Sequence, residues 1–215
     1  MKNILIIGLG RFGQHFARQL FEQGNDVMAV DENEETINRA MPYLTNAQIG
    51  DATNEQFIAS LGVASFDLCV VAIGDDFESS LQTTALLKDH GAPFVLARAK
   101  TDVHEKFLLR IGADRVVCTE RDMAKRLAIK YGSDNVFDFI QLTDDYSIYE
   151  INVPPTWVGK TILQKNVRIK YNINILATKQ HGELYPLPSA SHVFQPDETL
   201  LIMGHNEDVK RLINE

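Results

Sequence analysis

Three glycines and one carboxylate carry the sharpest chemistry in the sequence. Gly8, Gly10 and Gly13 stand in Gly8-Leu9-Gly10-Arg11-Phe12-Gly13, directly after an apolar run and at the start of an amphipathic pattern. In that context the spacing reads as a phosphate-binding turn between a strand and a helix. Gly8 permits the tight turn, Gly10 lets backbone approach a pyrophosphate, and Gly13 lets helix and strand pack closely. The helix N-terminus then faces the phosphate charge. Asp31 closes the second strand-like run, where an acid accepts hydrogen bonds from a ribose diol and repels a 2′-phosphate. NAD, ADP or ATP are therefore favoured over NADP. Arg11 is a planar donor suited to phosphate oxygens. As a cation at a helix N-terminus it opposes the helix dipole unless an anion is close by.

Other polar groups follow later strand-like runs: Gly50-Asp51-Ala52-Thr53, Ile73-Gly74-Asp75-Asp76, Arg98-Ala99-Lys100 and Glu120. Ligands of open parallel sheets bind at the carboxyl ends of the strands, so these groups belong to one edge. What is missing narrows the chemistry. A dehydrogenase needs a general acid or base beside the nicotinamide, and no such constellation occurs. There is no nucleophile elbow, HExxH or paired-carboxylate motif either. Of six histidines, His181, His192 and His205 stand isolated in turn-like contexts and read as exposed rather than catalytic. Cys69 and Cys118 lie in apolar runs and read as buried reduced thiols rather than disulfide or metal partners.

The elements that must hold these groups follow from periodicity. Strand-like runs at Asn3 to Ile7, Asp26 to Val30, Ala47 to Gly50, Asp67 to Ile73, Phe94 to Ala97 and Arg115 to Cys118 alternate with helical patterns. The central runs are almost continuously apolar, as in parallel strands covered on both faces. Phe12, Phe16, Leu20 and Phe21 share one helical face, as do Ile37, Ala40 and Met41, then Phe107, Leu108 and Ile111. The expected fold is α/β, a Rossmann-like doubly wound parallel sheet. Asn33 before Glu34 and Glu35 marks one helix start, and Thr53 with Gln56 has capping-box spacing at another.

The turn formers Gly132-Ser133-Asp134-Asn135 read as a hinge. Beyond them Tyr149, Ile151 and Val153 alternate with polar residues, a half-exposed strand that Pro154-Pro155 ends. A short helix at 161–165, strands at 173–179 and 199–203, and a last helix with Val209, Leu212 and Ile213 inward complete a small α+β domain. The expected division is 1–134 and 135–215.

Bulk properties exclude several classes. The chain has 215 residues, 45% hydrophobic and 23% charged, which suits a globular protein. A formal charge of −8 weighs against nucleic acid, which needs a basic stripe. Apolar runs fall far short of the roughly 18 residues that span a bilayer. Met1-Lys2-Asn3 leads straight into a strand without a cleavage site, so a cytoplasmic location is expected.

Together, Ile7-Gly8-Leu9-Gly10-Arg11-Phe12-Gly13, Val30-Asp31, Asp51-Ala52-Thr53, Val71-Ala72-Ile73-Gly74, Ile111-Gly112-Ala113-Asp114-Arg115 and Pro154-x-x-x-Val158-Gly159-Lys160 resemble the RCK (regulator of potassium conductance) family. The resemblance covers nearly the whole chain and is to the cytosolic regulatory subunits of Ktr/Trk-type bacterial potassium uptake systems. It implies an N-terminal nucleotide-binding RCK domain and a small C-terminal RCK domain. It implies dimers assembled into an octameric ring at the inner face of the membrane, gating an integral-membrane potassium-translocating partner, with ATP/ADP or NAD(H) as effector. By position it implies a pocket of Gly8, Gly10, Arg11, Phe12, Gly13, Asp31, Glu32, Asn33, Asp51, Ala52, Ile73, Gly74, Asp75, Arg98, Ala99, Lys100, His104 and Glu120. Glu120 resembles an acid that helps hold a divalent cation, Mg or Ca, near the phosphates. The C-terminal domain resembles those that bind a second ligand such as cyclic di-AMP, and Arg168, Asn174, Ile175 and Pro188 stand at the corresponding positions. The rivals are a small NAD-dependent oxidoreductase, opposed by the missing acid/base set, and a redox-sensing transcriptional regulator, opposed by the acidic charge and the lack of a helix-turn-helix.

Overall fold

The computed structural model describes residues 1–132 and 134–213. Ser133 of the expected hinge therefore lies outside the described residues. The chain forms two compact units, Met1–Asp122 and Met123–Glu215.

The first unit contains β1 (Asn3–Ile7), α1 (Arg11–Glu22), β2 (Asp26–Asp31), α2 (Glu34–Ala40), β3 (Asn46–Ile49), α3 (Glu55–Ser60), β4 (Leu68–Val71), α4 (Phe77–Asp89), β5 (Val95–Arg98), α5 (Asp102–Arg110), β6 (Arg115–Val117) and the start of α6 (Thr119–Tyr131). Its six strands lie in the order β3-β2-β1-β4-β5-β6 and all pair in parallel. This is the doubly wound order, and its direction reverses between β1 and β4. Side-chain alternation along β1 explains the layering. Ile4 and Ile6 join Ala17 of α1 and Ile37 of α2 on one face. Leu5 and Ile7 join Ile58 of α3, Leu87 of α4 and Leu108 of α5 on the other. Each such buried aliphatic side chain stabilises the unit by about 1.5–3 kcal/mol relative to exposure.

The second unit takes the rest of α6 and adds β7 (Val136–Gln141), β8 (Tyr146–Asn152), α7 (Ile162–Lys165), α8 (Val167–Tyr171), β9 (Ile173–Gln180), β10 (Glu183–Pro186), β11 (Glu198–His205) and α9 (Asn206–Ile213). Its antiparallel sheet has the order β10-β9-β11-β8-β7. β11 alternates buried and half-buried positions along its length. His181 and Gly182, with φ of 52° and 87°, turn β9 into β10 as a two-residue hairpin of the I′ kind. Trp157 and Phe194 are fully buried beside Ile173, Ile202 and Val209.

Several expectations need correction. Asn54, not Thr53, caps α3, its side chain accepting from Phe57 N at 3.1 Å. Thr53 is drawn instead into a turn with Asp51, to which both its N–H and its hydroxyl donate. Phe21, Met41 and Phe107, assigned to buried helical faces, are exposed. His192 and His205 are half-buried; of the three histidines read as exposed, His181 alone is fully so. His192 Nε2 lies 3.0 Å from the buried Glu198 carboxylate. β7, β10 and α8 had no counterpart in the sequence reading.

Candidate nucleotide-binding site and a second cleft

The glycine turn is built for three different reasons. Gly8 has a φ of 93°, which L side chains rarely adopt. A Cβ on Gly13 would lie 2.0 Å from the Gly8 carbonyl oxygen, so only glycine lets α1 approach the turn after β1. Gly10 has neither constraint: its φ is −62°, and a Cβ there would meet no protein atom within 4 Å. The space in front of Gly10 is open. Beside it α1 begins with no side-chain cap and no acid in its first turn, leaving N–H groups for an anion.

Asp31 ties this turn to the end of β2. Its Oδ2 accepts from Leu9 N at 2.7 Å and its Oδ1 from Asn33 N at 2.9 Å. A carboxylate has about four lone-pair sites, so capacity for ribose hydroxyls remains. A cleft of about 210 Å³ opens here, lined by Gly8, Asp31, Glu32, Ala52 and Ile73 among the expected residues. Its wall also includes Gly50, Thr53 and Asp76, which the sequence places at the same sheet edge, and Ile7, Val30 and Ser79, which the sequence did not assign to the site. Asp76 and Ser79 carried a legible sign, an acid three positions before a serine at a helix start. Asp76 accepts from Ser79 N at 3.1 Å and from its hydroxyl at 2.7 Å, and these bonds hold the Asp76 carboxyl below its usual range.

The remaining expected residues flank the cleft or support it. Asp51 is held low by the Thr53 hydroxyl and N–H. Asn33 caps α2 by accepting from Thr36 N. Phe12 stacks on Phe16 and packs into the core, so it serves the helix rather than the cleft. Ala99 is buried.

Cations gather around the loops that follow β4 and β5. Lys100 Nζ lies 3.0 Å from Asp75 Oδ1. That hydrogen bond, then the charges of Lys100, Arg98 and Arg11, hold the Asp75 carboxyl low. A Cβ on Gly74 would lie 2.6 Å from an Arg98 guanidinium nitrogen, so the guanidinium rests against the bare Gly74 backbone. Arg98 donates to Glu120 Oε1 at 2.6 Å, while Thr119 donates to Glu120 Oε2 at 2.8 Å. The Thr119 hydroxyl, the backbone N–H and Arg98 together bring the Glu120 carboxyl down to about 2. Each Glu120 oxygen thus already accepts a hydrogen bond within the chain, which leaves part of the carboxylate's lone-pair capacity open. Among the described residues, metal-ligating groups converge at Asp102, Glu105 and Cys118. There the Arg121 guanidinium already sits 2.7 and 2.6 Å from the two carboxylates. His104 is 2% exposed and is not part of the cleft lining.

In the second unit a cleft of about 390 Å³ is lined by Arg168, Asn174, Ile175 and Pro188, together with apolar groups such as Leu163 and Ile169. All four expected residues therefore meet. Arg168 lies on α8, and its Nε donates to Asn174 Oδ1 at 3.0 Å.

Residues 4–119 match the TrkA-N domain and residues 147–215 the TrkA-C domain. The chain belongs to the TrkA family. This TrkA-family chain is similar to "Ktr system potassium uptake protein A" of Bacillus subtilis, 40% identical over 214 residues, covering 100% of this chain and 96% of that protein. Relatives of this kind are named as potassium uptake proteins, not as enzymes. Among solved structures, the GsuK channel bound to NAD superposes with a TM-score of 0.71 at 21% identity, over 100% of this chain and 40% of the channel chain. The GsuK RCK domain superposes with a TM-score of 0.66 at 20% identity, over 99% and 47%. The TrkA-family chain thus has the RCK fold and spans less than half the length of the GsuK chains.

Proposed function

We propose that this protein is the cytosolic, nucleotide-binding regulatory subunit that gates a potassium uptake channel or transporter. The observation that carries the reading is Gly10, a glycine that neither backbone conformation nor packing requires, set at an uncapped helix N-terminus above Asp31. A phosphate brought against that backbone accounts for the missing side chain beyond glycine's own suitability at a helix cap. ATP, ADP or NAD(H) is the effector, its ribose on Asp31 and its phosphates toward Gly10 and Arg11. Arg98, Lys100 and Asp75 face the phosphate side, and Glu120 contributes to a divalent cation, Mg or Ca, completed by the phosphates. The functional division is 1–134 for the nucleotide and 135–215 for a second ligand. Cyclic di-AMP is the candidate for the cleft at Arg168, Asn174, Ile175 and Pro188.

The full-length similarity to a Ktr system potassium uptake protein supports the transport role. It also supports a potassium-translocating membrane partner that holds the protein at the inner face of the membrane. Among the described residues no helix is long and apolar enough to cross a membrane. Assembly of copies into a ring is supported by α6, which buries none of its residues and exposes Met123, Leu127 and Tyr131 along one side.

Gating requires that the effector bind two ring states with different affinity, since equal affinity shifts nothing. Thermal-shift titration with ATP, ADP, NADH and cyclic di-AMP, repeated on Arg11→Ala and Asp31→Ala, ranks the ligands. A ligand at 100 times its Kd stabilises by about 2.7 kcal/mol. No shift with any nucleotide would refute the reading, and identical ring shape and ion flux with ATP and ADP would refute the gating step.

A further inference from the structure

We propose that His104 is a positioning residue of the nucleotide cleft, fastening α4 to the turn after β5 through a neutral ring protonated on Nε2. The proposal rests on the nucleotide reading above and assigns to His104 a role other than contact with the ligand.

The proton's place follows from the partners. His104 stands in the first turn of α5, whose cap Thr101 accepts from His104 N at 3.2 Å. Its ring folds back so that Nδ1 lies 3.4 Å from Lys100 N, a group that can only donate. Nδ1 is therefore the acceptor, and the proton sits on Nε2, 3.1 Å from Ser80 Oγ. Phe77 packs against the ring at 4.9 Å between centroids and hinders it from swinging away. Burial lowers the His104 pKa and favours the neutral ring that this arrangement needs.

Both partners belong to the cleft's surroundings. Ser80 is fully buried and follows Ser79, which lines the cleft with Asp76. Lys100 follows Arg98 and pairs with Asp75. The same helix is fixed on its other side. Thr83 donates to Ala52 O at 3.3 Å and Gln82 to Thr53 O at 2.9 Å, and Ala52 and Thr53 also line the cleft. The inward face of α4 thus carries Ser80, Thr83 and Thr84, all fully buried, where a helix over a parallel sheet would ordinarily carry apolar groups. Apolar packing has no directional preference, whereas a hydrogen bond weakens steeply off its angle. The spacing between the Asp76–Ser79 wall and the Arg98–Lys100 turn is set at its upper side by one imidazole.

The test measures ADP affinity by calorimetry on the full chain and its variants His104→Phe, His104→Gln, Ser80→Ala and His104→Phe/Ser80→Ala, with the ¹⁵N signals of His104 in the wild type. The expected results are the neutral Nε2–H tautomer and an ADP affinity about tenfold weaker in His104→Phe and in Ser80→Ala, the size of one hydrogen bond. The double variant should be no weaker than the worse single one, because the two residues act through one contact. Gln carries its amide nitrogen close to the place of ring Nε2 and should recover most of the affinity. Ser80→Ala is small enough to keep the fold if the phenylalanine variant does not. An Nδ1–H or charged ring at neutral pH, additive losses in the double variant, or variant affinities within twofold of the wild type would each overturn the proposal alone. No ADP binding by the wild type would instead overturn the nucleotide reading, and this proposal with it.

Discussion

Gly10 and Gly13 stand three positions apart and should fail in opposite ways. Gly13→Ala drives a methyl against the Gly8 carbonyl and should destabilise the protein by about 1–3 kcal/mol or more, whatever ligand is present. Gly10→Ala meets only open space, so it should cost no more than about 1 kcal/mol of stability, the margin between Gly and Ala at a helix cap. Its nucleotide affinity should nevertheless collapse. Denaturation and calorimetry on the two variants separate these outcomes, and equal stability losses would refute the contrast. Glu120 gives a pH prediction. Its folded value of about 2 lies below the ordinary 4.5, so its contribution is complete above about pH 5 and is lost as pH falls toward 2. Glu120→Gln should lower stability above about pH 5 and flatten that part of the acid-unfolding curve, with the variant and the wild type converging as pH falls toward 2. The contribution is modest because the side chain is 65% exposed.

At the scale of elements, what the sequence reveals depends on how much of the signal is local. The central strands β1 and β4 are legible because both of their faces are buried, which leaves continuous apolar runs such as Ile4 to Ile7. β10 was not legible, since all four of its residues are exposed at the sheet edge and burial writes no pattern there. β7 was missed for a related reason: Phe137 and Ile140 are apolar yet exposed, which breaks the period of two. The site divides in the same way. Gly8, Gly10, Gly13 and Asp31 form a motif within one β-α-β unit, whereas Ser79 reaches the cleft only because the fold packs α4 against β4, the parallel neighbour of β1. The α3 cap is a direct check. Asn54→Ala should cost about 1 kcal/mol in urea unfolding as the Phe57 N–H loses its acceptor. Thr53→Ala should not reproduce that loss through the cap, and the reverse order would restore the Thr53–Gln56 capping box.

For the whole molecule, the unburied side of α6 bears on assembly. Leu127 is 44% exposed, so Leu127→Glu should leave folding nearly unchanged while weakening self-association. Light scattering coupled to size-exclusion chromatography reads the difference as a lower mass, and an unchanged mass would remove α6 from the assembly surface.

The two cysteines offer a reporter that needs no label engineered into the protein. Cys69 and Cys118 are the only thiols in the chain, and both fall in the unit Met1–Asp122. Burial pushes the Cys69 thiol up to about 12 and the Cys118 thiol up as well, so neither is reactive while that unit stays closed. Their alkylation rate is then a clock for opening of the nucleotide-binding half alone. ADP should slow this clock. A ligand seated in the cleft at Arg168 should slow it only if the two halves exchange free energy, and the ratio of rates would measure that exchange without reference to potassium.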